Sequence, residues 1–376
     1  MTERLQVLLG PTQESPRIAA VPAVLRAAQR IAEDLAPENI ILLDADADFA
    51  PRWGRQMAGL GAARVECAQT EEVAARLAVG VPLLKVNAGG LPMDGSLKRF
   101  LSEARATGRP ARWMRQGEVL AAYHPSPDSY AAGAAEGRDF EAAEGDWLSL
   151  QDAQAIPRAE QALFDSLVKD TDGFVARFDR RMSVGLSRLL MRTPATPNHI
   201  TTASLLLGLL GAAWLAFGAY SFQVLGVFLL WFCCILDGCD GEVARLKLLC
   251  SKSGADYDLS ADHIAHLAVF IAIPFAVRTA APQARVLLPG ILMVSGMAAS
   301  MFSIWWLILR RPQSQPGPTQ IFFERVASRD YVYLIAVLTV IRRLHWFLWA
   351  AAFGAHIFNL AIWWMFLRQS AKPEQA

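Results

Sequence analysis

The stretch Leu236–His263, "LDGCDGEVARLKLLCSKSGADYDLSADH", lies between two long apolar runs and carries Asp237, Asp240, Glu242, Asp256, Asp258 and Asp262. An acid in the middle of a membrane span costs about 3 kcal/mol on insertion scales and needs something to neutralise it. Read as helix through Arg245, the first part sets Asp237, Asp240, Gly241 and Ala244 at i, i+3, i+4 and i+7, which is one helix face. On a following helix Gly254, Asp258 and Asp262 stand at i, i+4 and i+8, again one face. Small residues beside acids leave room for a ligand to approach closely. Glu242 and Asp256 fall off these stripes and are expected to face water.

Two helices joined by roughly a dozen residues are antiparallel neighbours, and their acid stripes then face each other near one membrane surface. Four carboxylates brought that close repel unless cations lie between them. All-oxygen ligands suit Mg²⁺ or Mn²⁺ better than zinc, and two such ions about 3.5–4 Å apart are the usual arrangement for displacement at phosphorus. The bland alternative is a set of solvated loop acids. Four Asp and two Gly at this joint spacing argue against it.

Outward from this stretch the chain divides unevenly. It has 376 residues, enough for two domains; 53% are hydrophobic and 19% charged, with the charges crowded into the first half. A net charge of +1, with no Lys/Arg tract interleaved with aromatics, implies no attraction to nucleic acid. The five cysteines form no CxxC pair and no zinc spacing, and read as small buried hydrophobes.

After residue 197 the apolar runs predict six membrane spans, near 199–219, 221–240, 258–278, 286–309, 330–343 and 345–367, the fifth cut short by Arg342 and Arg343. Arg245, Lys247 and Lys252 follow the second span and Arg310, Arg311, Arg325 and Arg329 follow the fourth, whereas "AYSFQ" between the first two has no basic residue. That asymmetry puts both termini in the cytoplasm, although Arg278, Arg285, Arg342 and Arg343 fall on the other side. "MTERLQVLLGPTQESPR" has no long apolar core of a signal peptide, so the first half is expected to remain cytoplasmic, on the inner face of the cell membrane.

Residues 1–160 read as an α/β domain. "RLQVLLG", "NIILLDAD", "ARVECA" and "VPLLKVNAGG" are strand candidates, and "AVPAVLRAAQRIAEDL" and "DGSLKRFLSEARATG" are helices, the latter with Asp94 as N-cap and Gly108 as stop. Strands alternating with helices predict a mostly parallel sheet covered on both faces. Residues 161–196 form a linker, broken at Gly173, in which Phe174, Phe178, Met182, Leu186 and Leu189 recur at helical intervals among Arg177, Arg180, Arg181, Arg188 and Arg192. This is the pattern of a basic amphipathic helix lying on a membrane surface. Residues 197–370 form the all-α membrane domain.

The pattern D-x2-D-G-x2-A-R-x8-G-x3-D-x3-D resembles the signature of the CDP-alcohol phosphatidyltransferase family, matched here by Asp237, Asp240, Gly241, Ala244, Arg245, Gly254, Asp258 and Asp262 without departure. The resemblance implies six transmembrane helices, a homodimer in the bilayer, and a two-metal site with Mg²⁺ or Mn²⁺. It also implies a reaction in which a CDP-alcohol and an acceptor hydroxyl give a phosphodiester and CMP. By resemblance Asp237, Asp240, Asp258 and Asp262 lie at the metals, and Asp262 takes the hydroxyl proton as general base. Gly241, Ala244, Arg245 and Gly254 would border the cytidine diphosphate, with Asn198 and Thr201 of "TPNHIT" beside the nucleotide. Asn198 has a plainer reading as a helix N-cap.

The whole layout resembles fused inositol-phosphate cytidylyltransferase and di-inositol-phosphate-phosphate synthase proteins. The front domains of that family carry a Gly-rich, Arg-containing loop after the first strand. Here "LLGPTQESPRIAAVP" has one early glycine and no lysine. The N-terminal domain is therefore expected to be a degenerate, nucleotidyltransferase-like domain that does not turn over CTP. Asp44, Asp46 and Asp48 read as a solvated strand-end turn rather than a metal site.

A second phosphate on the acceptor would need cations of its own, for which Arg325 and Arg329, four apart, and Arg310 and Arg311 are candidates. Their alternative role is to anchor the chain at the lipid headgroups. Two other functions fit a membrane protein with buried acids: cation transport, and a non-catalytic scaffold. Transport favours acids spread over several spans at the midplane; here they cluster on two adjacent helices near one face.

Overall fold

The computed structural model describes residues 4–12, 15–60, 63–93, 95–131, 137–150, 154–168, 174–217, 219–304, 306 and 331–370. Two compact units emerge. One comprises Met1–Asp170 with Arg188–Pro194 and Glu242–Ser251; the other comprises Thr171–Ser187, Ala195–Gly241 and Lys252–Ala376.

The first unit is built on strands β1 (Gln6–Gly10), β2 (Arg17–Ile18), β3 (Val21–Pro22), β4 (Asn39–Leu43), β5 (Arg64–Ala68), β6 (Leu83–Asn87), β7 (Gly90–Pro92), β8 (Ala111–Arg115), β9 (Glu118–His124), β10 (Arg138–Glu141) and β11 (Trp147–Ser149). The seven-stranded sheet runs β10-β8-β9-β6-β1-β4-β5. β1 is central, with Gln6 opposite both Asn39 and Leu83 in parallel register. β9 is antiparallel to β6 and to β8, so the sheet is mostly parallel, as the alternation of strand and helix predicts.

β1 is buried along its whole length because both faces are covered. Val7 and Leu9 point into one core with Val24, Leu25, Ala28 and Ile31, and Leu8 points into another with Ile41, Leu43 and Leu83. The helices of this unit are α1 (Ala23–Leu35), α2 (Phe49–Ala58), α3 (Val73–Arg76), α4 (Ser96–Thr107), α5 (Pro127–Ala131) and α6 (Ala155–Asp165). Gly95 at φ 73° leads into α4 and Gly108 at φ 62° closes it, both in the left-handed region that favours glycine. Asp94 lies outside the described residues.

Helix α7 (Phe174–Met191) links to the helical half: α8 (Pro197–Ala216), α9 (Tyr220–Leu246), α10 (Lys252–Ala280), α11 (Leu287–Ile304), α12 (Tyr331–Val340) and α13 (Leu344–Ser370). On α7 the packed face is Ser183, Val184 and Ser187, while Phe178, Met182 and Leu189 are exposed. Among the described residues five helices, α8 to α11 and α13, are long and apolar enough to cross a membrane. The expected fifth span is represented by the ten-residue α12. Its apolar run ends where Arg342 adopts φ 57°. There the Arg342 guanidinium lies 4.2 Å over the Tyr220 ring, and the Tyr220 hydroxyl donates to the Val340 carbonyl at 2.9 Å. Arg310, Arg311, Arg325 and Arg329 lie outside the described residues.

The C-terminal end of α9 belongs to the first unit, and each of its last four carbonyls finds a donor. Lys247 N–H reaches Val243, Leu249 N–H reaches Ala244 and Leu248 N–H reaches Arg245, at 2.8, 2.8 and 3.3 Å. The fourth carbonyl, of Leu246, accepts from the Arg26 guanidinium. This is the doubly bonded cap that glycine normally supplies, yet its left-handed position is Leu248 at φ 53°. The left-handed conformation costs leucine about 1–2 kcal/mol, and burying its side chain returns about 2 kcal/mol. Leu248 is 5% exposed within the α/β core, so the cap holds without glycine.

Within the second unit α8 and α9 approach closely at Gly211 and Gly226. A Cβ on Gly226 would stand 2.7 Å from the Gly211 carbonyl oxygen and 2.7 Å from Leu215 N. Close backbone approach through small residues is how helices associate where no hydrophobic driving force separates them from lipid. Gly226→Ala gains about 1 kcal/mol of helix propensity and loses about 1–3 kcal/mol to overpacking. Its thermal unfolding transition in detergent is therefore expected to fall. Gly354→Ala, where a Cβ meets nothing within 4 Å, is expected to hold or raise it.

Candidate metal centre

Asp237 and Asp240 stand one turn apart near the end of α9, and Asp258 in the second turn of α10. The connection between these helices is Lys247–Ser251, five residues where roughly a dozen were expected, because α9 runs on to Leu246 and α10 begins at Lys252. One carboxylate oxygen from each of Asp237, Asp240 and Asp258 falls within 4.8 Å of the others. Asp237 and Asp240 are buried, 7% and 5% exposed, so water does little to separate these charges.

Thr201 of α8 donates its hydroxyl to the Asp240 carboxylate, and Gly241 N–H donates to its other oxygen. Asp258 Oδ1 is buried and has no hydrogen-bond partner. A converging set of hard oxygen donors with one buried oxygen left over fits Mg²⁺ or Mn²⁺. Asp237, Asp240 and Asp258 are the residues that would hold the ion. Asp262 is half-buried one turn further along the same face of α10.

The start of α8 explains the placement of Thr201. Thr196 is the N-cap, its side chain accepting from His199 N–H while the His199 ring accepts from Thr196 N–H, with Pro197 in the first turn. The cap is therefore Thr196 and not Asn198, which is exposed inside the first turn. Thr201 is then one turn inside the helix, 2% exposed and also bonded to the Pro197 carbonyl at 3.2 Å. Beside it the Thr202 hydroxyl pairs with Tyr257 at 2.9 Å, joining α8 to α10 next to Asp258. No spacing in the sequence announced that pair.

The two acids expected to face water part company. Asp256 is exposed. Glu242 is 0% exposed, which corrects the expectation: Cys239, Glu242, Val243 and Leu246, at i, i+3, i+4 and i+7, make a second fully packed face of α9. Glu242 lies on that packed face, while the exposed position of this turn is Arg245. Of the remaining motif residues, Gly241, Ala244 and Gly254 are half-buried and Arg245 is exposed.

The N-terminal candidates sit apart from any such cluster. Asp44 accepts from Thr70 N–H and hydroxyl at 2.8 and 2.7 Å, which hold its carboxyl below the usual range, and Asp46 and Asp48 are exposed. Gly10 is a close-packing glycine, since a Cβ there would stand 2.5 Å from Leu43 Cβ. All five cysteines are free thiols; Cys239 is buried, Cys67, Cys233 and Cys234 are half-buried, and Cys250, placed at the turn before α10, is exposed rather than packed.

Residues 194–363 match the family model described as CDP-alcohol phosphatidyltransferase. The chain is also similar to proteins named bifunctional IPC transferase and DIPP synthase. It is 34% identical over 129 residues to that of Archaeoglobus fulgidus, covering 34% of this chain and 25% of the relative. It is 39% identical over 114 residues to that of Thermococcus kodakarensis, covering 30% and 25%. For Rubrobacter xylanophilus the figures are 32% over 152 residues, 40% and 34%. The chain thus covers between 25% and 34% of the length of these relatives.

If the three oxygens form a cation site, Mn²⁺ titration followed by electron paramagnetic resonance will show binding that Asp237→Asn, Asp240→Asn and Asp258→Asn each weaken at least tenfold, a floor of about 1.4 kcal/mol per ligand. Asp256→Asn is expected to bind as the unaltered protein does. Equal affinity in all four variants would place the ion elsewhere.

Proposed function

We propose, from the match of residues 194–363 to the CDP-alcohol phosphatidyltransferase model, that the protein is an integral membrane enzyme that moves a substituted phosphate group from a CDP-alcohol to an acceptor hydroxyl. The observation that carries this reading is the convergence of Asp237, Asp240 and Asp258 on one point, at the end of helices apolar enough to span a bilayer. Similarity to proteins named bifunctional IPC transferase and DIPP synthase supports it.

In the proposed reaction the acceptor oxygen forms a bond to the phosphorus that carries the alcohol. The bond from that phosphorus to the bridging oxygen of the diphosphate breaks, and CMP departs with the electron pair. Bound divalent cations would supply neutralisation of the diphosphate and of the departing oxygen. Asp262 receives the hydroxyl proton on its carboxylate. Thr201 holds Asp240 in its orientation through the hydroxyl it donates. Gly241, Ala244 and Gly254 leave space for the nucleotide; Asn198 is exposed in the first turn of α8 and Arg245 in the last turn of α9.

Arg325 and Arg329, with Arg310 and Arg311, are proposed to bind an anionic acceptor; all four precede α12 in sequence. The exposed Phe178, Met182 and Leu189 of α7, interspersed with arginines, support docking of that helix on the bilayer surface. We place the termini and the α/β domain in the cytoplasm, the chain as a homodimer in the inner membrane, and the α/β domain as inert toward CTP.

Purified protein supplied with Mg²⁺, a CDP-alcohol and an acceptor is expected to release CMP. Asp262→Asn should reduce that release by about 10²-fold or more, while Asp256→Asn leaves it unchanged. Near-normal turnover in folded Asp262→Asn protein would remove this residue as the base, and no CMP from the unaltered protein with any CDP-alcohol would remove the transferase reading.

A further inference from the structure

The α/β unit contains a buried cation that the proposed chemistry does not use. Arg26, on α1, is 3% exposed. Its guanidinium donates to the carbonyls of Ile18 and Ala19 at 3.4 Å and to the carbonyl of Leu246, the last residue of α9. Burial pulls its pKa down to about 10, opposed by the Glu160 carboxylate, so it remains charged at neutral pH. Glu160 is fixed in turn by Ala19 N–H at 2.8 Å. A buried charge is retained at such a place only where its hydrogen bonds are filled.

We propose that Arg26 is a positioning residue for the end of the acidic motif: it locks the last turn of α9 and thereby sets the backbone of Ala244 and Arg245. The cap leaves one carbonyl, that of Leu246, without a backbone donor, and Arg26 fills it. A cation there also lies at the negative end of the α9 dipole. The Ala244 and Arg245 carbonyls are held by Leu249 and Leu248 N–H. Leu248 can occupy its left-handed position only while its side chain stays in the α/β core. Three observations from different parts of the chain therefore converge on one turn: the guanidinium, the left-handed leucine, and Gly59, where a Cβ would stand 3.0 Å from the Leu248 carbonyl oxygen. An α/β domain whose sequence has one early glycine and no Gly-rich run after its first strand then has a defined task, which is to hold the nucleotide-bordering end of α9 in shape. Arginine suits the task because its planar fork serves three carbonyls at once, where an ammonium serves fewer in fixed geometry.

The kinetic part of the test rests on the transferase reading and the exchange part does not. In the full-length protein, Arg26→Met is expected to speed amide exchange at Leu248 and Leu249 about tenfold or more, the loss of a charge-assisted bond, with strand β4 exchanging as before. It is expected to raise KM for the CDP-alcohol by a similar factor while kcat stays within about twofold, the pattern of lost binding rather than lost chemistry. Arg26→Lys, with one charged donor, should fall between the two. Unchanged exchange at Leu248 and Leu249, or a lowered melting temperature with KM unchanged, would overturn the proposal and make Arg26 a core residue only. Should Arg26→Met not fold, Arg26→Lys decides alone: intermediate values support the proposal and normal values sink it. If the unaltered protein releases no CMP, the transferase reading fails, and the exchange data still decide whether Arg26 locks the turn.

Discussion

Like charges held close in a protein interior set the terms for the helical half of this molecule. Carboxylate oxygens of Asp237, Asp240 and Asp258 lie within 4.8 Å of one another. At an effective dielectric constant of about 20 each such pair repels by about 3 kcal/mol when both are ionised. Thr201 and Gly241 donate to Asp240, and Asp258 Oδ1 is buried without a hydrogen-bond partner. A hard cation among the three would convert mutual repulsion into shared attraction.

Converging acids require helices whose ends do not drift. Close packing at Gly211 and Gly226 fixes α8 against α9. Pro274 inside α10 is met by Gly290 of α11, where a Cβ would stand 3.0 Å from the proline ring. At the far end of α9 the carbonyls are all satisfied, three by the turn itself and one by Arg26. The α/β unit thus includes the final turn of a helix that also carries Asp237 and Asp240.

Much of this was readable in the sequence because it rests on periodicity. β1 and β4 are short apolar runs ended by Gly10 and Asp44, and β1, β4, β5 and β6 all form within the strand candidates. The acid stripe at i, i+3 and i+4 is a property of any helix, so it survives without knowledge of the partners. What stayed hidden depends on tertiary contact. Glu242 looked solvated because one face of α9 was assigned to chemistry and the rest to water, whereas the helix is packed on two faces. The plainer reading of Asn198 as the cap of α8 fails because Thr196 with His199 makes the cap two residues earlier, with Pro197 at the first helical position. Nothing in Arg26 or Leu248, read alone, links an arginine of α1 to a turn more than two hundred residues later.

If the three carboxylates share divalent cations, diffraction from crystals grown with Mn²⁺, recorded at a wavelength where manganese scatters anomalously, will show it. Anomalous density is expected within coordination distance, about 2.0–2.2 Å in the manner of hard oxygen-bound ions, of Asp237, Asp240 and Asp258, with Asp258 Oδ1 as one of the ligands. Saturating Mn²⁺ with no density there, and the three acids bonded instead to protein donors or to one another through shared protons, would contradict it.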